Sequence, residues 1–511
     1  MMIIWFHQID RGYDDSSSPL SPFYGPLGNP NPSFDPCPRS DQPLAFPSRF
    51  WPSVLEAVAA EERCARAGGE DSEDPRDRQV RPDGPSHRHA CAREVSEYPA
   101  PEFDTYDCDI HMFPDLQYLK KRSKIIEIVS VKDVIFAVAQ SGLCAAFSRT
   151  TNKRMCFLNI SPDEVIRSIF YNKNDESLIT VSVYASDNFR SLKCRTTPIE
   201  CIRRNQLDAG CPLFETESLK WPGFVEFSDM NCKILIFSDQ DGTYKVFDQK
   251  NYSLLYSICD KDIQDIKTSP SMMLLVYHRT ASHLPLKILS IEDGKVLKSF
   301  NHLLHRNKKV DFIEQFNEKL LVKQENENLQ ILDVWNSDLI EVSKTEFMTP
   351  SAFVFLHEKH LLLTCRYRTV AVWNLRGELV ASFEDHLLRH PDCNTYNIYI
   401  TSDEDLIISN CTACHDDVEV PSVGSINVSD ILTGKCIAKI CPLDPHLRIG
   451  PRKPGDASRS TIRSTIKEAL ENVTALFYEE DRNEIYTGNE QGLVHVWSKP
   501  HISGDSLRAC L

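Results

Sequence analysis

The chain has 511 residues, with 73 acidic against 57 basic side chains and a formal net charge of −16. That balance argues against a general binder of the nucleic-acid backbone, which needs a net basic face. No apolar run of about eighteen residues occurs, which argues against a membrane-spanning helix.

The opening Met1 to Phe6 is apolar but brief, lacks a basic flank, and is cut off by His7, Gln8 and Asp10. It does not read as a secretory signal. The eighteen cysteines are irregularly spaced, and several (Cys144, Cys156, Cys365, Cys436) fall in strand-like runs, where a free thiol packs as a small hydrophobe. This usage fits a reducing compartment, the cytoplasm, the nucleus or both. The sequons at Asn159, Asn251, Asn410, Asn427 and Asn472 are then expected to stay unmodified.

Residues 1–104 read as a disordered, proline-rich extension. Sixteen of the thirty prolines fall in the first 114 residues, and such a segment buries too little apolar surface to offset the entropy of ordering it. Within it, Ser53 and Glu56 form a capping-box pattern ahead of a helix-favouring run from Ala57 to Arg66, stopped by Gly68 and Gly69. Two readings stand, a nascent helix and a partner-docking helix. The basic run Lys120 to Lys124 reads either as a nuclear-localisation patch or as a solvated loop.

From about residue 105 to 500 the chain consists of short β-branched and aromatic runs in triplets, separated by polar turns. The triplets begin near Ile125, Val165, Phe224, Met273, Phe312, Leu361, Ile398 and Thr474. The second has a longer arm, Leu192 to Ile202, and the insertion 442–471 precedes the last. That insertion sets Arg448, Arg452, Lys453, Arg459, Arg463 and Lys467 among serines and threonines, and it reads as a solvated basic loop or as a phosphorylation switch for a docked partner. Residues 501–511 form a tail. The last triplet lacks an outer strand, and Asp109 to Phe113 is the expected strand that closes the ring.

Corresponding positions Asp248, Ser290, Asp333 and Asn374 recur every forty-odd residues, the period of a four-stranded propeller blade. Tyr244 to Asp248, Val372-Trp373-Asn374, Ile426 to Asp430 and Gly492 to Trp497 resemble the strand before the Trp-Asp dipeptide of the WD40 family, although none carries Trp-Asp itself. The repeat positions Phe247, Asp248, Asp333, Trp373, Asn374, His386, Asp430 and Trp497 follow from that register. His386 and His302 are the histidines that the family's buried polar network would use. The run from Tyr106 to Val342 is also similar to plant transducin/WD40-like proteins of unassigned function. The resemblance implies an all-β, WD40-type β-propeller of seven or eight four-stranded blades.

Cys411, Cys414 and His415 match a haem-attachment spacing, but they sit in a polar loop that no helix flanks to bring an axial ligand, so chance cysteines in a loop are the expectation. Two further ligands for zinc are missing from the pattern, and no nucleophile elbow or phosphate-binding glycine loop appears. The expected function is therefore a non-catalytic protein-interaction scaffold without a cofactor, probing protein partners with its propeller faces as a monomer within a complex. The alternative is a substrate receptor of a cullin-RING ubiquitin ligase. Such receptors carry Trp-Asp-x-Arg after a blade strand, and Trp373 with Arg376 comes close, making these two residues the candidate contact to a ligase adaptor.

Overall fold

A computed structural model describes residues 4–5, 102–106, 122–187, 189, 191–216, 226–228, 231–238, 242–280, 282–366, 368–383, 386–388, 397–412, 424–441 and 464–498. The helix expected at 57–66, the strand expected at 109–113, Cys414, His415 and most of the basic insertion lie outside them.

Eight antiparallel sheets follow one another along the chain. Blade 1 comprises Ile125–Val131, Val134–Ala139, Cys144–Ser148 and Lys153–Phe157, and blade 2 comprises Glu164–Asn172, Ser177–Tyr184, Leu192–Pro198 and Cys211–Thr216. Blade 3 runs through Glu226–Ser228, Lys233–Ser238, Thr243–Asp248 and Leu254–Ile258; blade 4 through Ile263–Ser269, Met272–Tyr277, His283–Ser290 and Val296–Leu303. Blade 5 is Val310–Phe316, Lys319–Gln324, Leu329–Asp333 and Leu339–Val342, and blade 6 is Ala352–Leu356, Leu361–Arg366, Thr369–Asn374 and Leu379–Ser382. Blade 7 is Ile398–Ile400, Leu406–Thr412, Gly424–Asp430 and Cys436–Ile440. Blade 8 takes Val473–Glu479, Glu484–Asn489 and Leu493–Ser498 from one end of the chain and Glu102–Asp104 from the other. The pair Ile4–Trp5 adds a short fifth strand to blade 6, antiparallel to Ala352–Leu356. The fold is an eight-bladed β-propeller.

First strands approach one another across the junctions, Ile125–Val131 lying beside both Val473–Glu479 and Glu164–Asn172. They form the inner wall, and the fourth strands form the rim. The ring closes between blades 8 and 1, where the backbone of Gly488 sits so close to Ile125 that an added Cβ would lie 2.5 Å from its side chain. A closed ring of blades leaves only short, protected sheet edges.

Several sequence expectations are corrected by these elements. The closing strand is Glu102–Asp104, in register with Leu493 to His495, so the propeller begins inside the stretch read as extension. In the long arm of blade 2 the strand stops at Pro198, and Ile199–Arg203 turns into a short helix that buries Ile199 and Ile202. Proline removes a ladder donor and suits the entry of a helix. The end of the basic insertion is also ordered: Ile466–Leu470 is a helix with a complete capping box between Thr465 and Glu468, and it buries Ala469 and Leu470. Two inner strands, Ile263–Ser269 and Ala352–Leu356, were absent from the expected triplets.

Apolar clusters fill the junctions, but polar bonds cross each of them as well. Ser168 donates to Glu127 at 2.7 Å between blades 1 and 2, and Asn172 donates to the Tyr252 hydroxyl at 2.8 Å between blades 2 and 3. Tyr256 donates to the Ile291 carbonyl at 2.8 Å, Lys267 pairs with Glu314 at 3.0 Å, and His357 meets Asn317 at 2.9 Å. The Lys359 amide donates to Glu404 at 3.0 Å, Tyr399 donates to Glu480 at 3.0 Å, and Arg149 grips Glu484 with two bonds of 3.0 and 2.7 Å. Buried polar groups need partners, and here the partner belongs to the next blade, which fixes blade order and spacing.

Candidate interaction surface

The repeat positions serve two structural tasks. At the end of the third strand in blades 3, 6 and 8 an aromatic packs on the preceding blade. Trp373 is 9% exposed and lies edge-on to Phe347 at 5.1 Å, within a cluster that includes Phe312, Phe316 and Leu321 of blade 5. Trp497 joins Tyr399, Ile408 and Ile426 of blade 7, and Phe247 meets Phe214 of blade 2 at 4.9 Å. Each indole N–H stays satisfied inside its own blade, Trp373 donating to Thr364 at 3.0 Å and Trp497 to Thr487 at 2.8 Å. The polar residue that follows caps the turn into the fourth strand. Asp248 accepts the Lys250 amide, Asp333 those of Trp335 and Asn336, Asn374 those of Arg376 and Glu378, and Asp430 that of Thr433. Aspartate and asparagine recur there because a short side-chain acceptor satisfies turn amides.

His386 sits fully buried between blades 6 and 7, its two ring nitrogens meeting Ser409 and Ser429. Ser429 occupies the position that Trp373 holds in blade 6. Burial pushes the imidazole down to about 4, so it is neutral, one nitrogen donating and the other accepting. His302 lies on the rim strand of blade 4, bonded to Gln330 at 3.0 Å, and burial lowers its pKa too. Burial pushes Glu127 up to about 8 and Glu480 up to about 7. Burial works against the Lys267 ammonium, but the Asp265 and Glu314 carboxylates outweigh it and raise its pKa.

Trp373 and Arg376 are therefore divided by the fold. The indole belongs to the core, and only its margin reaches the surface. Arg376 is exposed on the turn of blade 6. Both line a groove of about 370 Å³ between the rims of blades 5 and 6, together with Glu341, Val342, Glu346, Glu378 and Leu379. Gly377 makes this junction close: with φ +76° it lies where a Cβ would come within 2.1 Å of Val342. The groove's carboxylates were not singled out from sequence. The legible signal was the apolar pair directly after each turn, Leu339-Ile340 and Leu379-Val380, which are 49, 37, 55 and 41% exposed.

Cys411, the described member of the haem-like string, is buried, its sulfur beside the Ser409 hydroxyl. Among the described residues no cluster of three potential metal ligands occurs, and no helix is long and apolar enough to cross a membrane.

A family model described as a domain of unknown function (DUF7899) matches residues 93–497. No curated protein matches the chain. Among solved structures it is similar to the computationally designed Ika8 protein, with 16% identity, a TM-score of 0.44, and coverage of 74% of this chain and 97% of that one. It is also similar to BamB from Moraxella catarrhalis, with 12% identity, a TM-score of 0.38, and coverage of 74% and 94%. The family model spans most of the propeller and more than half of the sequence, and the chain belongs to the DUF7899 family.

Proposed function

We propose that the chain is a non-catalytic scaffold of WD40 type that binds protein partners in the cytoplasm, the nucleus or both. One observation carries this reading: the buried polar side chains bridge neighbouring blades, whereas the rims of blades 3 to 6 each expose a pair of apolar residues. Polar chemistry holds the ring, and the surface is left for contact. Cysteines packed inside strands as small hydrophobes, such as Cys144, Cys156 and Cys194, support a reducing compartment. Affinity purification of the full chain, with quantification of what co-purifies, tests this: a protein in near-stoichiometric amount is expected, and a chain recovered alone contradicts it.

A second reading, receptor of a cullin-RING ubiquitin ligase, is favoured by Arg376 being exposed at the end of its Trp-Asn-x-Arg turn. Under it, ligase adaptor subunits co-purify and Arg376→Ala abolishes their capture.

A further inference from the structure

The rim is not uniformly apolar, and its pattern selects one place. In blades 3, 4, 6 and 7 the residue that the bulge leaves unpaired on the fourth strand is Leu255, Leu297, Val380 or Ile437, 39 to 44% exposed. A bulge re-aims a side chain and disrupts pairing, so these residues are turned out from the sheet. Just before each in blades 3, 4 and 6, and at the same place in blade 5, stands another exposed apolar residue, Leu254, Val296, Leu379 or Leu339. In blade 1 the same two places are Arg154 and Met155, partly covered. The rims are bridged by turns: Gly294 of blade 4 abuts Tyr256 of blade 3, Gly377 of blade 6 abuts Val342 of blade 5, and Gly434 of blade 7 abuts the backbone of Ser382 of blade 6. Blades 3 to 7 therefore present an arc of apolar side chains.

Between blades 5 and 6 the arc holds a groove of binding-site size, about 370 Å³, where ligand pockets run to roughly 300–1,000 Å³. Its floor is Val342, Leu379 and the margin of Trp373, and its walls carry Glu341, Glu346 and Glu378 against the single guanidinium of Arg376. Glu341 and Glu378 accept hydrogen bonds from the amides of Asn328, Gln330 and Asn374, which orient the carboxylates and leave their charge uncompensated. The nearby Lys344 ammonium is turned away to the Asn326 carbonyl. We propose that this groove docks an extended segment of a partner protein in which apolar side chains alternate with lysine or arginine. The apolar side chains rest on Val342 and Leu379, and the cations face Glu341, Glu346 and Glu378. This names the partner's chemistry and rests on the scaffold reading.

Two labelled synthetic peptides, one alternating leucine and lysine and one alternating leucine and glutamate, test it by fluorescence anisotropy on the full chain. The leucine–lysine peptide is expected to bind the unaltered chain, and E346K with E378K to weaken it by at least about tenfold while improving the leucine–glutamate peptide. The charge-matched control D481K with E490K, on blade 8, is expected to change neither by more than about twofold. Arg376→Glu is expected to tighten the leucine–lysine peptide, a gain that loss of folding does not produce. Equal losses in the groove and control variants, or no loss in either, overturn the proposal. Co-purifying proteins that are retained by E346K with E378K likewise refute this groove while leaving the scaffold standing; a chain with no partner at all removes both.

Discussion

Trp373 shows how one residue can carry two readings. Its spacing marked it as a repeat position that packs between neighbouring blades, and the Trp-Asn-x-Arg string made it a candidate contact. Its 9% exposure and its bond to Thr364 place the indole in the junction of blades 5 and 6. Trp373→Ala is expected to lower stability by about 3–5 kcal/mol, read by denaturant unfolding; an unchanged midpoint contradicts the packing. The buried titratable groups give pH signatures of opposite sign. Glu127, held by Ser168 and Ile169, has its pKa raised by burial to about 8, so between its ordinary value and 8 the folded state binds more protons than the unfolded one. Its destabilising effect is absent at low pH and complete above about 8, and Glu127→Gln is expected to remove the alkaline loss. His386 acts in reverse. With its pKa lowered by burial from 6.5 to about 4, the unfolded state binds more protons in that window, and stability falls as pH drops from 6.5 towards 4. Thermal melts of the wild type and of His386→Gln across that range should converge at acid pH; a constant offset contradicts it.

At the scale of elements, legibility followed the signal that each strand carries. Third strands were found because alternation ends in an aromatic and an Asx turn, as at Phe247-Asp248 and Trp373-Asn374. The inner strand Ile263–Ser269 was missed because Asp265 and Lys267 give it a loop's polarity, although Lys267 is 3% exposed and paired across the junction. Ala352–Leu356 was missed for the opposite reason: all five residues are buried, so nothing alternates. The Thr465–Glu468 capping box was legible and was overlooked within a basic stretch. Thr465→Ala is expected to cost about 1 kcal/mol and to loosen Ala469 and Leu470 from the junction of blades 7 and 8, which hydrogen exchange of 464–471 would report; unchanged protection contradicts that role. The groove was the least legible feature, because Glu341, Glu346 and Glu378 come together only through the packing of two blades.

For the whole molecule, the proposed contacts depend on a ring whose last blade is completed from the other end of the chain. Expecting a strand from before blade 1 was sound, but Glu102–Asp104 holds the place. Alternation alone favoured 109–113, whereas the observed strand is set by particular partners. Phe103 is 2% exposed and packs against Phe147, ring centroids 5.0 Å apart. Asp104 takes two bonds from Arg122 at 2.8 and 2.6 Å, and Thr105 holds the Gly492 carbonyl. Glu102 meets His495 at 3.2 Å and the Ser464 amide at 3.1 Å, and although burial opposes its charge these bonds outweigh it and lower its pKa. The direct measurement is thermal melting with size-exclusion chromatography of two truncations, one lacking residues 1–101 and one lacking 1–106. The first loses only the two-residue pair Ile4–Trp5 from blade 6 and is expected to melt close to the intact chain and stay monodisperse. The second loses the buried Phe103, roughly 3 kcal/mol or more, leaves the edge of Leu493–Ser498 unpaired, and is expected to melt lower and aggregate. Identical behaviour of the two truncations would contradict closure by Glu102–Asp104.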